Sequence, residues 1–302
     1  MNKIYIIAEI GSNYDNDLST AFDYIKASKE AGADAVKFQT LKKDKLISPT
    51  IYENEKNYKN LTYDNFTNLE LSDEWHLKLK EYSNKIEIDF ISTPFFLEAV
   101  DLLETIKVKK YKIASGDITF FPLLEKVAKT NKPIILSTGA STLEEIKNAK
   151  DIIEKNGNKD ITFLHCVSNY PPKWEQMNIL AINTLKKELN SPVGISDHSP
   201  GDIIPISAVA LGATVIEKHI TFNRKLSGPD HAFAMEINEF KTMINKIRIL
   251  EKAMGNGEKI PSVPEKERIK KIRRGKYNPE TLEPINSKTD KCIWLRPEHD
   301  KK

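Results

Sequence analysis

Cysteine is nearly absent. Only Cys166 and Cys292 occur in 302 residues, which leaves no disulfide framework and no cysteine-rich zinc site to read. Long apolar runs are missing too. None reaches the ~18–20 residues that a bilayer span requires, and no charged leader with an apolar core and cleavage site opens the chain. A cytoplasmic location is the expectation that follows. Neither sign of charge dominates, since 46 Lys and Arg against 43 Asp and Glu leave a formal +3, too balanced a surface to argue for nucleic acid. A glycine-rich dinucleotide turn is also lacking. Gly11-Ser12-Asn13 follows the first strand candidate, which weighs against an open doubly wound sheet.

What is present is an alternation of strand and helix. Short runs rich in β-branched residues stand at 4–10, 35–40, 89–95, 110–115, 133–138, 161–167, 192–198 and 214–221. Their apolar character suits a parallel sheet covered by helices on its outer face. Between them lie segments of helical length and amphipathic or charged pattern, among them 18–32, 73–85, 121–131, 142–157 and 236–254. Gly32, Gly157 and Gly212 follow helical patterns as stops, and Thr142 with Glu145 reads as a capping box. Eight strands interleaved with helices predict an α/β fold, a (β/α)8 TIM barrel over residues 1–255, with a short irregular tail over 256–302. Two stretches break the rhythm: the long polar segment 41–72, and the tail with its five prolines and the basic run Arg268 to Lys276.

A barrel carries its chemistry at the C-terminal ends of its strands. Those ends hold Glu9; Lys37 and Gln39; Thr93; Lys112 and Ser115; Ser137 and Thr138; His165, Ser168 and Tyr170; Ser196, Asp197 and His198; Glu217, Lys218 and His219. His198 and His219 come from adjacent strands, and a pair of neutral imidazoles suits Mn²⁺, Zn²⁺, Fe²⁺ or Co²⁺ with positions left open for water or substrate oxygens. His165 is expected to be packed behind them. His76, on a helix, and His299, in the tail, are expected at the surface. Asp230 follows Gly228-Pro229 in a turn that either reaches over the mouth or simply reverses the chain.

Lys37 and Lys112 point from strands toward the same mouth, and a buried ammonium needs a carboxylate or a phosphate. Ser115, Ser137 and nearby backbone N–H groups complement a phosphate. An internal Lys37–Glu9 pair and a Schiff-base lysine are the alternatives.

These residues also carry a resemblance. Ala8-Glu9-Ile10-Gly11-Ser12-Asn13, Gly32 to Thr40, Lys112 to Asp117, Ser137-Thr138-Gly139, His165-Cys166 through Tyr170-Pro171, Gly194 to Ser199, Glu217-Lys218-His219 and Gly228-Pro229-Asp230-His231 stand in the order found in the N-acetylneuraminate (sialic acid) synthase family. The resemblance covers roughly residues 4–240. It implies a homodimeric enzyme of nonulosonic acid and surface polysaccharide biosynthesis, a transferase that condenses phosphoenolpyruvate with N-acetylmannosamine or a related amino-sugar and releases phosphate. It implies His198 and His219 as ligands of Mn²⁺, with Mg²⁺ or Co²⁺ as substitutes. Lys37, Lys112, Ser115, Ser137, Ser168 and Ser196 would hold phosphoenolpyruvate. Gln39, Thr93, Tyr170 and Asp230 would face the sugar, Glu9 would be catalytic on that side, and Glu217 would act near the metal and its water.

Family members usually carry a C-terminal antifreeze-like domain, and the residues after Arg273-Arg274 are too few for it. Tyr14 stands where the family has His, Thr93-Pro94-Phe95-Phe96 replaces Ser-Pro-Phe-Asp, Ala140 replaces Met, and Ala232 to Ile237 departs from the usual pattern. All are expected around the acceptor. A synthase for a phosphorylated sugar would need further cations at the mouth. A non-catalytic sugar-binding barrel would need neither a metal pair nor a phosphate site.

Overall fold

The structure is a computed structural model that describes residues 3–53, 55–286 and 291–298. They divide into two compact units, 1–254 and 255–302. The first is a ring of parallel strands: β1 Tyr5–Gly11, β2 Ala35–Thr40, β3 Asp89–Pro94, β4 Tyr111–Ile113, β5 Ile134–Ser137, β6 Ile161–Cys166, β7 Val193–Asp197 and β8 Val215–Thr221. Their lateral order is β3-β2-β1-β8-β7-β6-β5-β4. The two end strands, β3 and β4, pack side by side and nearly close the barrel. The eight strand candidates read from the sequence are these eight, with ends shifted by at most two residues.

The helices between them are α1 Leu18–Ala31, α2 Asp73–Lys85, α3 Leu97–Thr105, α4 Phe121–Ala128, α5 Leu143–Lys155, α6 Ala181–Leu189, α7 Ile203–Ala210 and α8 Ile237–Ala253. Local chemistry sets their ends. The Asp17 side chain accepts from the Ser19 N–H at the start of α1, and Gly32 ends it with φ 97°, a left-handed backbone that glycine adopts without a Cβ penalty. Thr142 and Glu145 form the reciprocal box at the start of α5.

Strand side chains alternate with a period of two, and that period builds the barrel in storeys. Ile7, Ala35, Ile91, Ile135, Leu164 and Val215 pack together as an apolar floor inside the ring. Two residues further along the same strands stand Glu9, Lys37, Thr93, Ser137, Cys166 and Glu217, which line the cavity above. The opposite faces of the strands, with Ile6, Ile10, Phe38, Phe90, Phe163 and Ile195, pack with the helices into the main core.

The segment 41–72 holds a short helix, Lys43–Leu46, an exposed hairpin of Thr50–Glu53 and Lys56–Lys59, and a 3-10 turn, Tyr63–Leu69. The second unit is more regular than its prolines suggest, with a helix Val263–Ile272 and an antiparallel ladder of Gly275–Tyr277 with Ile293–Leu295. Pro264 lies in the first turn of that helix, where its missing N–H costs nothing. His299 lies outside the described residues. None of the helices among the described residues is long and apolar enough to cross a membrane.

Gly194 shows how tightly the floor is packed. A Cβ there would fall 2.3 Å from the Val215 carbonyl oxygen and 2.7 Å from Leu164 Cδ2. Gly194→Ala must therefore push β7 away from β8, and the expected loss is about 1–3 kcal/mol. Urea unfolding checks this, and an unchanged midpoint would refute the close approach.

Candidate active site

The strand ends open into one cavity of about 890 Å³, within the range of small-molecule sites. It is lined by Glu9, Lys37, Gln39, Thr93, Lys112, Ser115, Ser137, Ser168, Tyr170, Ser196, His198, Glu217, His219 and Asp230, but not by Thr138, His165, Asp197 or Lys218 from the same strand ends.

Four buried charges form its base. Lys37 Nζ lies 2.6 Å from Glu9 Oε2 and 3.8 Å from Glu217 Oε1, and Lys112 Nζ lies 3.7 Å from the same Glu217 oxygen. The internal Lys37–Glu9 pair is thus present, and it sits inside the cavity. Burial pulls the Lys37 ammonium down, but Glu217 and Glu9 outweigh it and hold Lys37 above its ordinary value. Lys112 is lowered by burial, with Glu217 opposing. Burial would raise Glu217, yet Lys112, Lys37 and a hydrogen bond from Ser196 Oγ hold it low. Glu9 goes the other way. Burial and the Glu217 charge raise it to about 7 against the pull of Lys37.

On one side of this base the polar groups suit an anion. Lys112 Nζ donates to Ser137 Oγ at 2.6 Å and to the Ile113 carbonyl at 3.0 Å. The Gly139 N–H donates to Ser115 Oγ at 2.9 Å. A Cβ on Gly139 would meet Ser168 Oγ at 2.2 Å and Ser115 Oγ at 2.9 Å, so two hydroxyls converge over a backbone that only glycine leaves open. Thr93, read as a sugar-side residue, accepts from Lys37 Nζ at 3.3 Å.

Across the base stand the histidines. The rings of His198 and His219 are 5.3 Å apart between centroids. His198 Nδ1 is 3.0 Å from the Val167 carbonyl oxygen. A carbonyl only accepts, so Nδ1 carries the proton and the Nε2 lone pair is left free. His219 Nδ1 is buried with no hydrogen-bond partner among the described residues, and Asp230 Oδ2 is 3.6 Å away. Burial lowers both histidines, His219 well below its ordinary value, where His198 and nearby lysines add to the effect. Both are neutral imidazoles near pH 7.

Glu217 Oε2 is also buried without a hydrogen-bond partner among the described residues. Two neutral imidazole donors fit a divalent transition ion. No group of three or more His, Cys, Asp or Glu able to hold a metal ion is gathered among the described residues, so water or substrate oxygens would complete the coordination. Gly11, at φ +58°, brings Asp230, Glu9 and Gln39 close together, and a Cβ there would lie 2.8 Å from Asp230 Oδ2. Gln39 Nε2 donates to Glu9 Oε1 at 3.2 Å.

Two expectations fail. His76, expected at the surface, is fully buried and bridges Thr40 Oγ1 and the Ser72 carbonyl. It lies on the inner face of α2, where burial lowers its pKa and keeps the ring neutral. Tyr14, expected near the acceptor, is a core residue with its ring against Phe38 and Trp75 and its hydroxyl donating to the Leu69 carbonyl. His165 is packed outside the ring, hydrogen-bonded to the Met177 carbonyl.

The cavity also contains residues that strand-end reasoning passed over. Leu46, Phe95, Cys166 and Phe233 line it, and the Phe233 ring lies 5.0 Å from His219 and 5.2 Å from Tyr170 between centroids. Asp117 closes a 3-10 turn, Ser115–Asp117, and its Oδ2 has no hydrogen-bond partner among the described residues.

The fold and this cavity define a (β/α)8-barrel enzyme. The chain belongs to the NeuB family, which matches residues 24–259. It is 49% identical to an uncharacterized protein of Methanocaldococcus jannaschii, over 89% of this chain and 77% of that protein. It is 43% identical to an N,N'-diacetyllegionaminic acid synthase of Campylobacter jejuni, over 91% of this chain and 84% of that one. Among solved structures it resembles an N-acetylneuraminic acid (sialic acid) synthetase from Leptospira borgpetersenii in complex with citrate, with a TM-score of 0.82 and 36% identity over 89% of this chain and 90% of that one.

Burial raises the Asp117 carboxyl from 3.8 to about 6. The protonated form therefore favours the native state, fully below pH 3.8 and decreasingly as pH rises through 6. Asp117→Asn cannot ionise. Its stability relative to the parent should climb by up to about 3 kcal/mol across that window and then level off. Chemical denaturation at a series of pH values measures the gap, and a flat gap would count against a buried, unpaired carboxyl.

Proposed function

We propose that the chain is a cytoplasmic, homodimeric nonulosonic acid synthase that joins phosphoenolpyruvate to the open-chain aldehyde of an unphosphorylated N-acyl amino-sugar. One observation carries this reading. A single cavity sets two lysines and converging serine hydroxyls against two neutral histidines on adjacent strands.

In the proposed reaction C3 of phosphoenolpyruvate attacks the aldehyde carbon, whose oxygen becomes a hydroxyl. Water adds at C2, and the tetrahedral intermediate breaks its C2–O bond to release phosphate. Lys37, Lys112, Ser115, Ser137, Ser168 and Ser196 hold the phosphate and carboxylate, and Thr93 steadies Lys37. Positioning of this kind replaces an encounter in solution, and the fixed cations offset charge as it shifts to the leaving phosphate. A divalent cation held by His198 and His219, with Mn²⁺ as the proposed ion and Mg²⁺ or Co²⁺ as substitutes, would supply Lewis-acid polarisation of the aldehyde. Glu9, raised to about 7, is suited to pass a proton to the new hydroxyl near neutral pH. Glu217 stays ionised and offers its unpartnered Oε2 to the attacking water. Gln39, Tyr170 and Asp230 face the sugar.

Among the described residues, Lys37 and Lys112 are the only Lys or Arg side chains lining the cavity. Both belong to the proposed phosphoenolpyruvate site, which leaves none for a second phosphate and disfavours a phosphorylated acceptor. A mere sugar-binding barrel would have no reason to bury two ammonium groups beside open hydroxyls.

A phosphate-release assay with phosphoenolpyruvate and a panel of amino-sugars tests the proposal. N-acetylmannosamine or a 6-deoxy diacetamido relative should give turnover, chelation should abolish it and Mn²⁺ should restore it. His219→Ala should stay inactive at added Mn²⁺, and Lys112→Ala should weaken phosphoenolpyruvate in calorimetric titration by roughly tenfold or more. Full activity of His219→Ala after exhaustive chelation would refute the metal pair.

The segment 41–72 follows β2 and brings Leu46 to the cavity, so it is the proposed lid that keeps bulk solvent from the site and leaves the single attacking water beside Glu217. Shortening 45–68 should cut turnover severely while circular dichroism reports a folded barrel. Retained turnover in that variant would move the lid elsewhere.

A further inference from the structure

A second charged couple lies directly behind the two histidines, on the outer face of the same strands. In the β7–β8 ladder Asp197 is the register partner of Lys218. Both are buried, at 1% and 2% exposure. Alternation turns them away from the cavity that Ser196, His198, Glu217 and His219 line.

Lys218 Nζ donates to Asp197 Oδ2 and to the Ser199 carbonyl oxygen. Asp197 Oδ1 in turn accepts from the Ser199 N–H at 3.0 Å. One ammonium thus holds the residue before His198 and the residue after it. The same lysine immediately precedes His219. From the other side His198 is fixed through Nδ1 by the Val167 carbonyl.

Stability does not account for this arrangement. Each ion loses several kcal/mol of hydration when buried, and apolar residues of similar volume often serve a core as well or better. What an apolar pair lacks is direction. It cannot fold residues 197–199 back on β8 and fix both histidine Cα positions by reference to one nitrogen. A metal pair needs that precision, since a site that is loose by about 1 Å loses its function.

We propose that the buried Asp197–Lys218 ion pair is a positioning element that sets the spacing of His198 and His219 for a divalent cation. It touches neither substrate nor metal, and it rests on the reading of these two histidines as the metal pair. Neither residue figures in the chemistry of the cavity, and a purely structural pair would affect folding without singling out the metal.

The test uses the full-length protein stripped of metal. Mn²⁺ is titrated by electron paramagnetic resonance, and phosphoenolpyruvate is titrated separately by calorimetry. The variant is the double replacement Asp197→Leu with Lys218→Met, which removes both charges and keeps an apolar filling. Mn²⁺ affinity should fall by about 10- to 100-fold, while phosphoenolpyruvate affinity stays within about twofold, a change of roughly 0.4 kcal/mol. Unchanged Mn²⁺ affinity in the folded double variant would overturn the proposal, and so would a parallel loss of both ligands, which signals general loosening.

Should the double variant fail to fold, Asp197→Asn is read by the same criteria. It keeps the acceptor for Ser199 N–H but weakens the hold on Lys218, so a smaller, still selective loss of Mn²⁺ binding is expected. A parent protein that binds no Mn²⁺ would instead remove the metal reading itself, and the positioning role with it.

Discussion

Glu9, Lys37, Lys112 and Glu217, all at 4% exposure or less, can occupy the middle of a barrel only because they neutralise one another. Each would cost several kcal/mol to desolvate alone, and removing any one leaves an uncompensated charge inside. The ladder supplies the compensation. Glu9 and Lys37 are register partners across β1 and β2, Glu9 and His219 across β1 and β8, and Glu217 and Ser196 across β8 and β7. A slip of one residue would turn every one of these side chains to the opposite face. The apolar floor of Ile7, Ile91, Ile135, Leu164 and Val215 therefore does more than fill space. It fixes the register that holds the charges in balance one storey higher.

That balance leaves the cations usable. The contacts of Lys37 and Lys112 with Glu217, at 3.8 and 3.7 Å, are long beside the ~2.7–2.9 Å of a charge-assisted hydrogen bond. Lys112 makes its short bonds to a hydroxyl and a carbonyl, both neutral. An arriving anion can engage Lys112 without first breaking a tight ion pair, whereas Lys37 keeps its short contact with Glu9. The serine hydroxyls over Gly139 give it further partners. The imidazoles are kept neutral by burial, the state in which a histidine offers a lone pair.

The parts legible in the sequence are those that the two-residue period controls. Apolar runs mark the strands, and a strand end fixes the direction of its side chains, so Lys37, Ser137, Glu217 and His219 could be placed by position alone. Residues outside that grammar were not so readable. Asp117 belongs to a 3-10 turn, and Phe233 to a loop whose path follows from tertiary contacts. Thr93 could be assigned to the cavity but not to Lys37, because a hydroxyl carries no charge that singles out one partner across the strands. His76 shows the limit of a helical pattern. Its inner face is marked by Leu79 alone among apolar residues, since Lys80 and Ser83 are buried there too, and a polar residue on such a face needs a partner, here Thr40, that the local sequence does not reveal.

The same division runs through the site. The half proposed to hold the anion draws Lys37, Lys112, Ser137 and Ser196 from strand ends held by ladder hydrogen bonds, where register leaves those side chains little freedom. Its other half draws Phe95, Tyr170, Asp230 and Phe233 from loops and Leu46 from the short helix Lys43–Leu46, tied down by contacts such as His231 with Thr221 and Asp15 and the packing of Phe233 on the histidine rings. Loops tolerate substitution better than strands do. A barrel so built can keep one substrate fixed by its strands while its loops adapt to another. Of the departures from the family pattern, Phe95 and Phe233 line that second half, whereas Thr93 contacts Lys37 and Ala140 follows Gly139. Tyr14 departs from the family pattern as well, but it does so inside the core, where its ring fills the space between Phe38 and Trp75 and has no path to a bound sugar.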